Sequence, residues 1–561
     1  MNNRYLLSCA LATLLVVALC SALPLAAVPA ITLYPSGGPD DTAAVHAAIA
    51  AIDDGGVIYF SPGTYYVNIL IISPTKSFSL VGLGGPDHTL LNGDTTGDGT
   101  GDGSVVTIQD THSLVAPITL EGFTLTNGAH TYGAGLHNNQ ASTIVTNCVF
   151  RDNTASWGGA GMANFQCAPV VTGCIFVDNS ASSPGSDGGG MYNAQSQPRI
   201  SSCRFEGNMA LDEGGAIANV SGSSLFVVNT SFVGNSAYNG GAIRSHNSVT
   251  VTIEYCTISG NHAENDGGGI NASNSTMFIK GCTFSENTAE NWQGGAIYNS
   301  EVIATVLSSF FIENEAIQRN SGAVHNEDST FSAANCVFAG NWAGGEGGVM
   351  KNVDDSVVTL MNCTVFGNGA GSNDGALFNQ RRSPPTITNC IFWDNGNEIY
   401  DADVESIALV TYSDVQGGHP GIGNIDADPL FVFAPTTLSL RAASPCVDAG
   451  TNLAPGVLDD ILGVPRPQRM AYDMGAYEYA GSSWSPVSLQ PLARTQLQAA
   501  LALWNGVACR IPCDPSDEVT ALVWDIQKHM ENAAQLTNPV YASGQLAQAA
   551  ALMEALAALL G

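Results

Sequence analysis

Basic residues are scarce in this sequence, and so are charged residues in general. Charged side chains make up 12% of the 561 residues, where about 25% is usual for a globular protein. Lys and Arg number 17 against 49 Asp and Glu, which gives a formal net charge of −32. A nucleic-acid-binding protein needs clustered Lys and Arg to neutralise phosphates. The composition therefore argues against a nucleic-acid partner and against electrostatic capture of anionic polymers.

Long hydrophobic runs are missing outside the first 30 residues. There, Arg4 precedes an apolar stretch from Tyr5 to Cys20, and small residues suited to cleavage follow it. This pattern is typical of a secretory signal peptide, which we predict over residues 1–30. A retained membrane anchor is the alternative, but Pro24 and Pro29 end the segment early. We expect the mature chain to be secreted or held at the cell surface, with no integral membrane span.

In place of long apolar runs, the sequence has a repeat of about 27 residues. Asparagine recurs every 26 to 29 residues, with Cys, Ser or Thr five residues before it and usually Phe three residues before it. The asparagines are Asn153, Asn179, Asn208, Asn235, Asn261, Asn287, Asn314, Asn341, Asn368 and Asn395. Copies in register at this period predict a repeat architecture.

Inside one repeat, apolar residues alternate with a period of two. The apolar residue Val171 has an odd number, whereas Cys174 and Phe176 have even numbers. This shift in the alternation places a corner near Thr172–Gly173. Period two predicts short strands, and stacking of the repeats aligns identical side chains into ladders. The predicted fold is all-β, a right-handed parallel β-helix with coils of about 27 residues and a solid apolar interior.

Cysteine is the second mark of the repeat. Eight cysteines lie in register: Cys148, Cys174, Cys203, Cys256, Cys282, Cys336, Cys363 and Cys390. A metal or redox site is one interpretation. We favour a buried ladder with one cysteine per coil, because Thr230 and Ser309 take the same register position and Cys packs well as a small buried side chain.

The repeats resemble a known family. Phe-x-x-Asn, as in Phe150 to Asn153, and Gly-Gly-Ala-Ile at 214–217, 240–243 and 294–297 resemble the repeats of polymorphic outer-membrane proteins. We assign residues 120–423 to the β-helix repeats. The resemblance implies a surface passenger, often adhesive, carried on a β-helix.

Upstream of the repeats, residues 31–119 are predicted to form an N-terminal cap and the first coils. A cap is expected because an open β-helix end would pair with other chains. Asp41 can cap a helix that stops at Gly55-Gly56. The run from Asp40 to Ala43 and the turn Pro62-Gly63-Thr64-Tyr65 resemble the start of pectin-lyase-like β-helix proteins.

Downstream, residues 424–480 resemble the domain called choice-of-anchor Q. The matching pieces are Asp428–Phe431, Ser444–Gly450, Gly463–Arg466 and Asp473–Glu478. The resemblance implies a domain that closes the β-helix of a surface protein. We expect Arg466 to pair with Asp448 or Asp473 as a structural bond, with a substrate-binding role as the alternative.

The last segment changes to helical spacing. Residues 484–561 predict a small α-helical module, with helix starts at Asp514-Pro515 and after Ser543. Cys509 and Cys513 could form a disulfide in an exported module. A folded appendix and an attachment or docking module are both open interpretations.

One Gly-rich loop offers oxygen ligands for a metal ion. Asp94, Asp98 and Asp102 lie within residues 94–103 and could gather around Ca²⁺. Their spacing of four differs from that of an EF-hand, so a solvated loop is the alternative. We expect no other cofactor.

Candidate catalytic residues are harder to find. Acidic residues recur beside the repeat asparagines, which is typical of solvated turns: Asp152, Asp178, Glu206, Glu286, Glu313 and Asp394. We find no carboxylate cluster that occurs once only, and His130, His137 and His262 have no metal-ligand spacing. The sequence therefore favours a non-catalytic, adhesin-like or structural protein that binds extracellular glycans or surface proteins. The alternative is a polysaccharide lyase or glycoside hydrolase.

Overall fold

The computed structural model describes residues 29–111, 114, 116–372, 375–433, 437–453 and 457–479. Residues 1–28 of the predicted signal peptide, the C-terminal helical module and the Cys509–Cys513 pair lie outside the described residues. The chain divides into two compact units. Unit 1 contains the residues up to Thr276 together with Asn287–Glu290, and unit 2 contains Met277–Glu286 and the residues from Asn291 onwards.

Unit 1 begins with a strand and a short helix. Helix α1 spans Thr42–Ala51 and buries Val45 and Ala48. Asp41 is the N-cap residue of this helix as predicted, but its carboxylate makes no bond to the helix backbone. Its oxygens instead accept hydrogen bonds from the backbone N–H groups of Ser36 and Tyr66, at 2.9 and 3.2 Å. No helix in the described part of the chain combines the length and apolar character that a membrane crossing requires.

The strands up to residue 290 belong to unit 1, except for β31 and the last residues of β30. They are β1 (Ala30–Leu33), β2 (Gly56–Phe60), β3 (Gly63–Tyr66), β4 (Ile69–Ile72), β5 (Phe78–Gly82), β6 (Thr89–Asn92), β7 (Val106–Gln109), β8 (Ile118–Glu121), β9 (Thr124–Thr126), β10 (Ala129–Tyr132), β11 (Leu136–Asn139), β12 (Thr143–Thr146), β13 (Val149–Arg151), β14 (Thr154–Gly158), β15 (Met162–Phe165), β16 (Val170–Thr172), β17 (Ile175–Val177), β18 (Ser180–Ala181), β19 (Met191–Ala194), β20 (Arg199–Ser201), β21 (Arg204–Glu206), β22 (Met209–Ala210), β23 (Ile217–Val220), β24 (Ser224–Val228), β25 (Ser231–Val233), β26 (Ser236–Ala237), β27 (Ile243–Glu254), β28 (Thr257–Ser259), β29 (His262–Ala263), β30 (Ile270–Lys280), β31 (Thr283–Ser285) and β32 (Thr288–Ala289).

The remaining strands belong to unit 2. They are β33 (Ile297–Leu307), β34 (Phe310–Ile312), β35 (Glu315–Ala316), β36 (Val324–Glu327), β37 (Thr330–Ala334), β38 (Val337–Ala339), β39 (Trp342–Ala343), β40 (Met350–Val353), β41 (Val357–Met361), β42 (Thr364–Phe366), β43 (Gly369–Ala370), β44 (Leu377–Asn379), β45 (Thr386–Thr388), β46 (Ile391–Trp393), β47 (Ile399–Asp401), β48 (Leu409–Thr411), β49 (Asp414–Val415), β50 (Phe431–Phe433) and β51 (Thr437–Leu440).

Within each unit the strands stack in parallel, one coil upon the next. In unit 1, sheet 1 contains β11 and β12 with their equivalents, sheet 2 contains β13 and its equivalents, and sheet 3 contains β10 and β14. Unit 2 has the same three kinds of sheet, and its β50 and β51 pair antiparallel. The corner expected near Thr172–Gly173 is confirmed, because β16 ends at Thr172 and Gly173 has φ +63°.

The interior of each unit consists of ladders. In unit 1 the ring of Phe176 stacks on those of Phe150 and Phe205, with centroids 4.6 Å apart in both pairs. The predicted cysteine ladder is confirmed as buried, and the backbone N–H of Cys174 donates to Sγ of Cys203 at 3.3 Å. In the next coil Thr230 takes the thiol's place and accepts from the Cys203 N–H at 3.2 Å. Cys, Thr and Ser therefore replace one another at this position because each is small enough for the same buried space.

The repeat asparagines form a buried amide ladder. In unit 1, Asn179 is fully buried, and its side-chain amide donates to Asn208 Oδ1 and to the Phe150 carbonyl oxygen, both at 2.9 Å. The same pattern recurs in unit 2 between Asn341 and Asn368, at 2.9 Å. A buried amide is costly unless it is hydrogen-bonded, so each asparagine needs an asparagine on the neighbouring coil.

Residues 437–479 of unit 2 pack along the side of its coils. The side-chain amides of Asn362 and Asn389 donate to the carbonyl oxygens of Asp473 and Thr451, at 2.9 and 2.8 Å. The pairing predicted for Arg466 is wrong. Its Nη1 lies 2.9 Å from Oε2 of Glu478, and both side chains are buried. Arg466 reaches Asp473 only at the carbonyl oxygen, and the carboxylate of Asp448 lies against Arg469.

Candidate functional site

The three aspartates of the Gly-rich loop use their oxygens on the loop itself. Asp94 accepts hydrogen bonds from the N–H groups of Gly97 and Gly99, at 2.7 and 2.9 Å. Hydrogen bonds from Thr100 lower the pKa of Asp98, and those from Thr95 and Thr96 lower the pKa of Asp102. Within the described residues, no group of three or more His, Cys, Asp and Glu side chains could hold a metal ion. Calcium binding at this loop stays a prediction.

A groove lined with aromatic rings lies in unit 1 where the chain passes from sheet 3 to sheet 1. The Tyr132 ring is 5.1 Å from that of Phe165 and 5.5 Å from that of Tyr192, and the His137 ring is 5.6 Å from that of Phe165. We call these four side chains the aromatic groove. Tyr132, His137, Phe165 and Ala194 line an open cavity of about 350 Å³, and the Tyr192 ring packs beside Tyr132 and Phe165.

The strand pattern explains why these rings face outward. In β15 and β19 the first and third residues, Met162, Asn164, Met191 and Asn193, are fully buried. Successive side chains of a strand point to opposite faces. Phe165 and Tyr192 therefore lie on the outer face of the sheet, and the small Ala194 leaves room beside them.

A ladder of glutamines borders the aromatic groove. Gln140, Gln166 and Gln195 stand at the same corner of successive coils, with φ values of 54, 52 and 52°. Their side-chain amides are joined by hydrogen bonds of 2.8 Å from Gln140 to Gln166 and from Gln166 to Gln195. Unlike the asparagine ladder these side chains are solvent-accessible, so amide donors and acceptors line one edge of the groove.

Two carboxylates meet next to the groove because their coils stack. Asp187 pairs with Gly158 and with Glu213 in parallel bridges, so the three residues hold equivalent positions on successive coils. Gly188 follows Asp187 with φ +62°, and a Cβ there would lie 2.2 Å from the Met191 carbonyl oxygen. Only glycine fits this turn, and it fixes the backbone position of Asp187.

Two basic side chains hold Glu213. Arg244 Nε lies 3.1 Å from its Oε1, and His246 Nε2 lies 3.1 Å from its Oε2. Arg244 is fixed in turn by hydrogen bonds to Ser273 Oγ at 3.1 Å and to the Ser245 carbonyl oxygen at 3.2 Å. The exposed side-chain fractions of Arg244 and Glu213 are only 12% and 19%, so this charge pair is shielded from solvent.

The two carboxylates differ in their affinity for a proton. Burial, together with the charges of Glu213 and Asp212, raises the pKa of Asp187 to about 7. Burial alone would also raise the pKa of Glu213, but the hydrogen bonds and charges of His246 and Arg244 outweigh it and lower that pKa. Near neutral pH, Asp187 is therefore partly protonated while Glu213 is ionised.

Aromatic side chains lie on both sides of this pair. The charges of Asp187 and Glu213 act on the hydroxyl of Tyr192, whose pKa burial raises to about 12. On the preceding coil, the Trp157 carbonyl oxygen accepts a hydrogen bond from the Asp187 N–H at 2.9 Å, and the Trp157 side chain is 55% exposed. Tyr238, in the coil after Glu213, is 43% exposed. Rings thus stand before and after the carboxylates.

The sequence analysis did not single out Asp187 and Glu213. Each stands directly before a Gly-Gly pair of the repeat, as Asp266 also does, and carboxylates at this position in two successive coils were the signal that could have identified them. The acidic residues beside the repeat asparagines are solvated turn residues as expected. Asp178 and Glu313, for example, are exposed and have φ values of 53°.

Unit 2 has a separate outward-facing cluster on its own sheet 1. Tyr298 stacks on His325 at 5.3 Å and donates its hydroxyl hydrogen to Glu327 at 2.7 Å. Burial, with the charge of Lys351, lowers the pKa of His325 to about 3. Lys351 lies over the ring of Phe378, 5.0 Å from its centroid. Since His325 and Phe378 are buried, this cluster offers less accessible ring surface than the aromatic groove.

The comparisons with known proteins concern the fold. Residues 241–417 match the family described as "Right handed beta helix region". No curated protein matches the chain. Pectate lyase Pel9A is 15% identical over 80% of this chain and 96% of its own, with a TM-score of 0.32. The PL6 family alginate lyase AlyGC is 13% identical over 73% of this chain and 55% of its own, with a TM-score of 0.33.

A third solved structure is the catalytic unit of the thermostable GH87 alpha-1,3-glucanase from Streptomyces thermodiastaticus strain HF3-3. It is 13% identical over 72% of this chain and 70% of its own, with a TM-score of 0.26. These values carry no inference about activity. The family match and the parallel coils together confirm the predicted right-handed parallel β-helix.

Proposed function

We propose that this chain is an extracellular polysaccharide-binding protein and that the aromatic groove is its binding site. The observation that carries the proposal is the set of rings on one outer face, with centroids 5.1 to 5.7 Å apart and a ladder of amides along its edge. Ligand sites are concave and combine apolar walls with a few placed polar groups. Sugar rings offer both an apolar face and hydroxyl groups to such a surface.

The charge of the protein narrows the ligand class. The chain has a net charge of −32, and Asp187, Asp212 and Glu213 lie next to the groove. Like charges repel within about a Debye length, roughly 8 Å at physiological ionic strength. We therefore infer that the ligand is a neutral polysaccharide rather than a polyuronate.

Three sequence features support an extracellular location. The signal-peptide pattern of residues 1–30 supports secretion. The resemblance of the repeats to polymorphic outer-membrane proteins and of residues 424–480 to choice-of-anchor Q supports a position at the cell surface. In this proposal the β-helix is an adhesin-like rigid support that presents the groove to extracellular glycans.

Affinity gel electrophoresis in neutral polysaccharides tests the proposal. Phe165→Ala and Tyr192→Ala are each expected to weaken retention by glucan, xylan or mannan about ten-fold, or about 1.4 kcal/mol. The matched control is Tyr34→Ala, which removes a 74% exposed aromatic outside the groove and is expected to change nothing. Retention that both groove variants leave intact, or stronger retention by pectate or alginate, would contradict the proposal.

A further inference from the structure

We propose that Asp187 and Glu213 form the catalytic carboxyl pair of a glycosidase site, which hydrolyses the neutral polysaccharide bound across the aromatic groove. The inference rests on the proposed function, because the substrate must occupy the groove. It goes further in giving the two carboxylates a chemical role and in placing the scissile bond above them.

The arrangement of the pair is the first argument. Asp187 and Glu213 are paired in register on neighbouring coils, which places their backbones about 4.8 Å apart. Glycoside hydrolysis uses two carboxyl groups that flank one bond. Neighbouring coils supply two such groups from one face without a contribution from any other element.

The flanking rings are the second and independent argument. The exposed Trp157 precedes Gly158 on the coil before Asp187, and the exposed Tyr238 precedes Asn239 on the coil after Glu213. A cleaving enzyme must hold sugar units on both sides of the scissile bond, whereas a binding site needs one platform. In addition, the hydroxyl of Ser186, adjacent to Asp187 in the chain, is buried and has no hydrogen-bond partner among the described residues.

The protonation states support a division of roles. Asp187, with its raised pKa, acts as the general acid and then as the general base, and Glu213, ionised and held by two basic groups, acts as the nucleophile. Arg244 and His246 are positioning residues, because they contact Glu213 rather than the reacting atoms. The titratable groups that face Asp187 are Glu213, Asp212, His246, Tyr132 and Tyr192.

The reaction balances with water as the second substrate. Asp187 donates its proton to the glycosidic oxygen as the bond from that oxygen to the anomeric carbon breaks, and one sugar leaves as an alcohol. The Glu213 carboxylate bonds to the anomeric carbon in the same step. Water then displaces Glu213 from that carbon while Asp187 takes the proton from the water. Asp187 thereby regains its proton and Glu213 its charge, so one water is consumed for each bond cleaved.

The test measures binding and cleavage on the same protein. Full-length protein is incubated with each neutral polysaccharide that it retains, and new reducing ends are quantified. Asp187→Asn and Glu213→Gln are expected to lower the rate about 100-fold or more while retention by the polysaccharide stays unchanged. Thermal unfolding is expected to stay unchanged for Asp187→Asn, whereas Glu213→Gln removes the carboxylate partner of Arg244 and is expected to lower the unfolding temperature. The matched control, Asp178→Asn, changes an exposed aspartate of the repeat and is expected to keep full activity.

The pH profile of activity distinguishes a positioning role of Arg244 from a purely structural one. Wild-type activity is expected to fall above pH about 7, where Asp187 loses its proton. Arg244→Met is expected to move only the acidic limb, upward, because Glu213 loses a partner that lowers its pKa. An unchanged acidic limb would overturn the role given to Arg244.

Three outcomes would overturn the inference. Retention without new reducing ends leaves the proposed binding function standing and removes the hydrolytic one. Cleavage that survives both carboxylate substitutions places the chemistry elsewhere. Products that carry an unsaturated sugar end indicate elimination instead of hydrolysis. Absence of retention by every neutral polysaccharide contradicts the proposed function itself.

Discussion

The outer faces of sheet 2 differ between the two units although their inner faces match. In unit 1 the outward residues include Arg151, Arg204 and Ser231, which are exposed or half-buried. In unit 2 the equivalent residues include Val337 and Ile391, which are buried against residues 431–476. The inward phenylalanines stack equally in both units. Inward residues therefore determine the coil, and outward residues determine what covers it.

The largest effect is expected from the ion pair that fixes the covering segment of unit 2. Glu478→Ala leaves the buried guanidinium of Arg466 without its partner, and an unpaired buried charge costs about 3 to 5 kcal/mol of unfolding free energy. Urea unfolding measures the loss. The control is Asp355→Ala, which breaks an exposed pair with Arg382 and is expected to leave the urea midpoint nearly unchanged. Equal losses would mean that the segment is not held by this pair.

A matched pair of isoleucines tests the comparison directly. Ile391 of unit 2 and Ile175 of unit 1 are both the first residue of a sheet 2 strand, but their exposures are 1% and 37%. Ile391→Ala is expected to cost about 3 kcal/mol, since it leaves a cavity under the covering segment. Ile175→Ala is expected to cost less than about 1 kcal/mol. Similar urea midpoints for the two variants would remove the distinction between the faces.

The pH dependence of unit 2 has a definite sign. Burial raises the pKa of Glu398 to about 7 and that of Asp473 to about 7, above their ordinary values of 4.5 and 3.8. Between the ordinary pKa of each group and pH 7, the folded state holds a proton that the unfolded state has lost. The free energy of unfolding therefore falls as pH rises towards 7. Each group contributes on the order of 2 kcal/mol.

Hydrogen exchange of unit 2 strands, corrected for intrinsic rates, is therefore expected to accelerate from pH 5 to pH 8. Glu398→Gln is expected to remove part of this acceleration, and Glu313→Gln, at an exposed turn, to leave it intact. Exchange that slows with rising pH would have the wrong sign for the raised pKa values.

The smallest loss of stability is expected at the asparagine ladder, which is present in the interior of each unit. Asn235→Ala in unit 1 and Asn341→Ala in unit 2 remove the same hydrogen bonds to the neighbouring asparagine and to a phenylalanine carbonyl oxygen. Each is expected to cost about 1 to 2 kcal/mol, because neighbouring buried groups lose a partner. Thermal unfolding checks the pair. A large difference between the two variants would show that the interiors of the units are not equivalent.

The repeat made most of the fold predictable. The spacing of Cys174, Phe176 and Asn179 predicted the strand, the corner and the buried thiol ladder, and these features are confirmed. Arg466 was assigned to the wrong acid because residues 441–453 and 457–479 have no regular secondary structure, and no period relates its position to that of Glu478. The carboxylate contacts of Asp41 were missed for a similar reason, since its partners Ser36 and Tyr66 lie outside the helix.

The candidate site could not be predicted in the same way. Asp187 and Glu213 are 26 residues apart and occur at turns where the repeat tolerates many residue types, so neither stands out alone. Their relation becomes visible only when the coils stack. The aromatic groove was also missed, because outward positions carry no period. Phe165 is the last residue of β15, Tyr192 is the second of β19, and Tyr132 ends β10 in another sheet.

The amino-acid sequence by itself determined the coil, because buried side chains must recur at each turn to fill a continuous interior and to satisfy one another's hydrogen bonds. Tertiary structure alone decided which outward side chains became neighbours, since stacking brings residues a full turn apart to about 4.8 Å. It also decided their proton affinities, because burial and the charges of adjacent coils act on Asp187 and Glu213 only in the folded state.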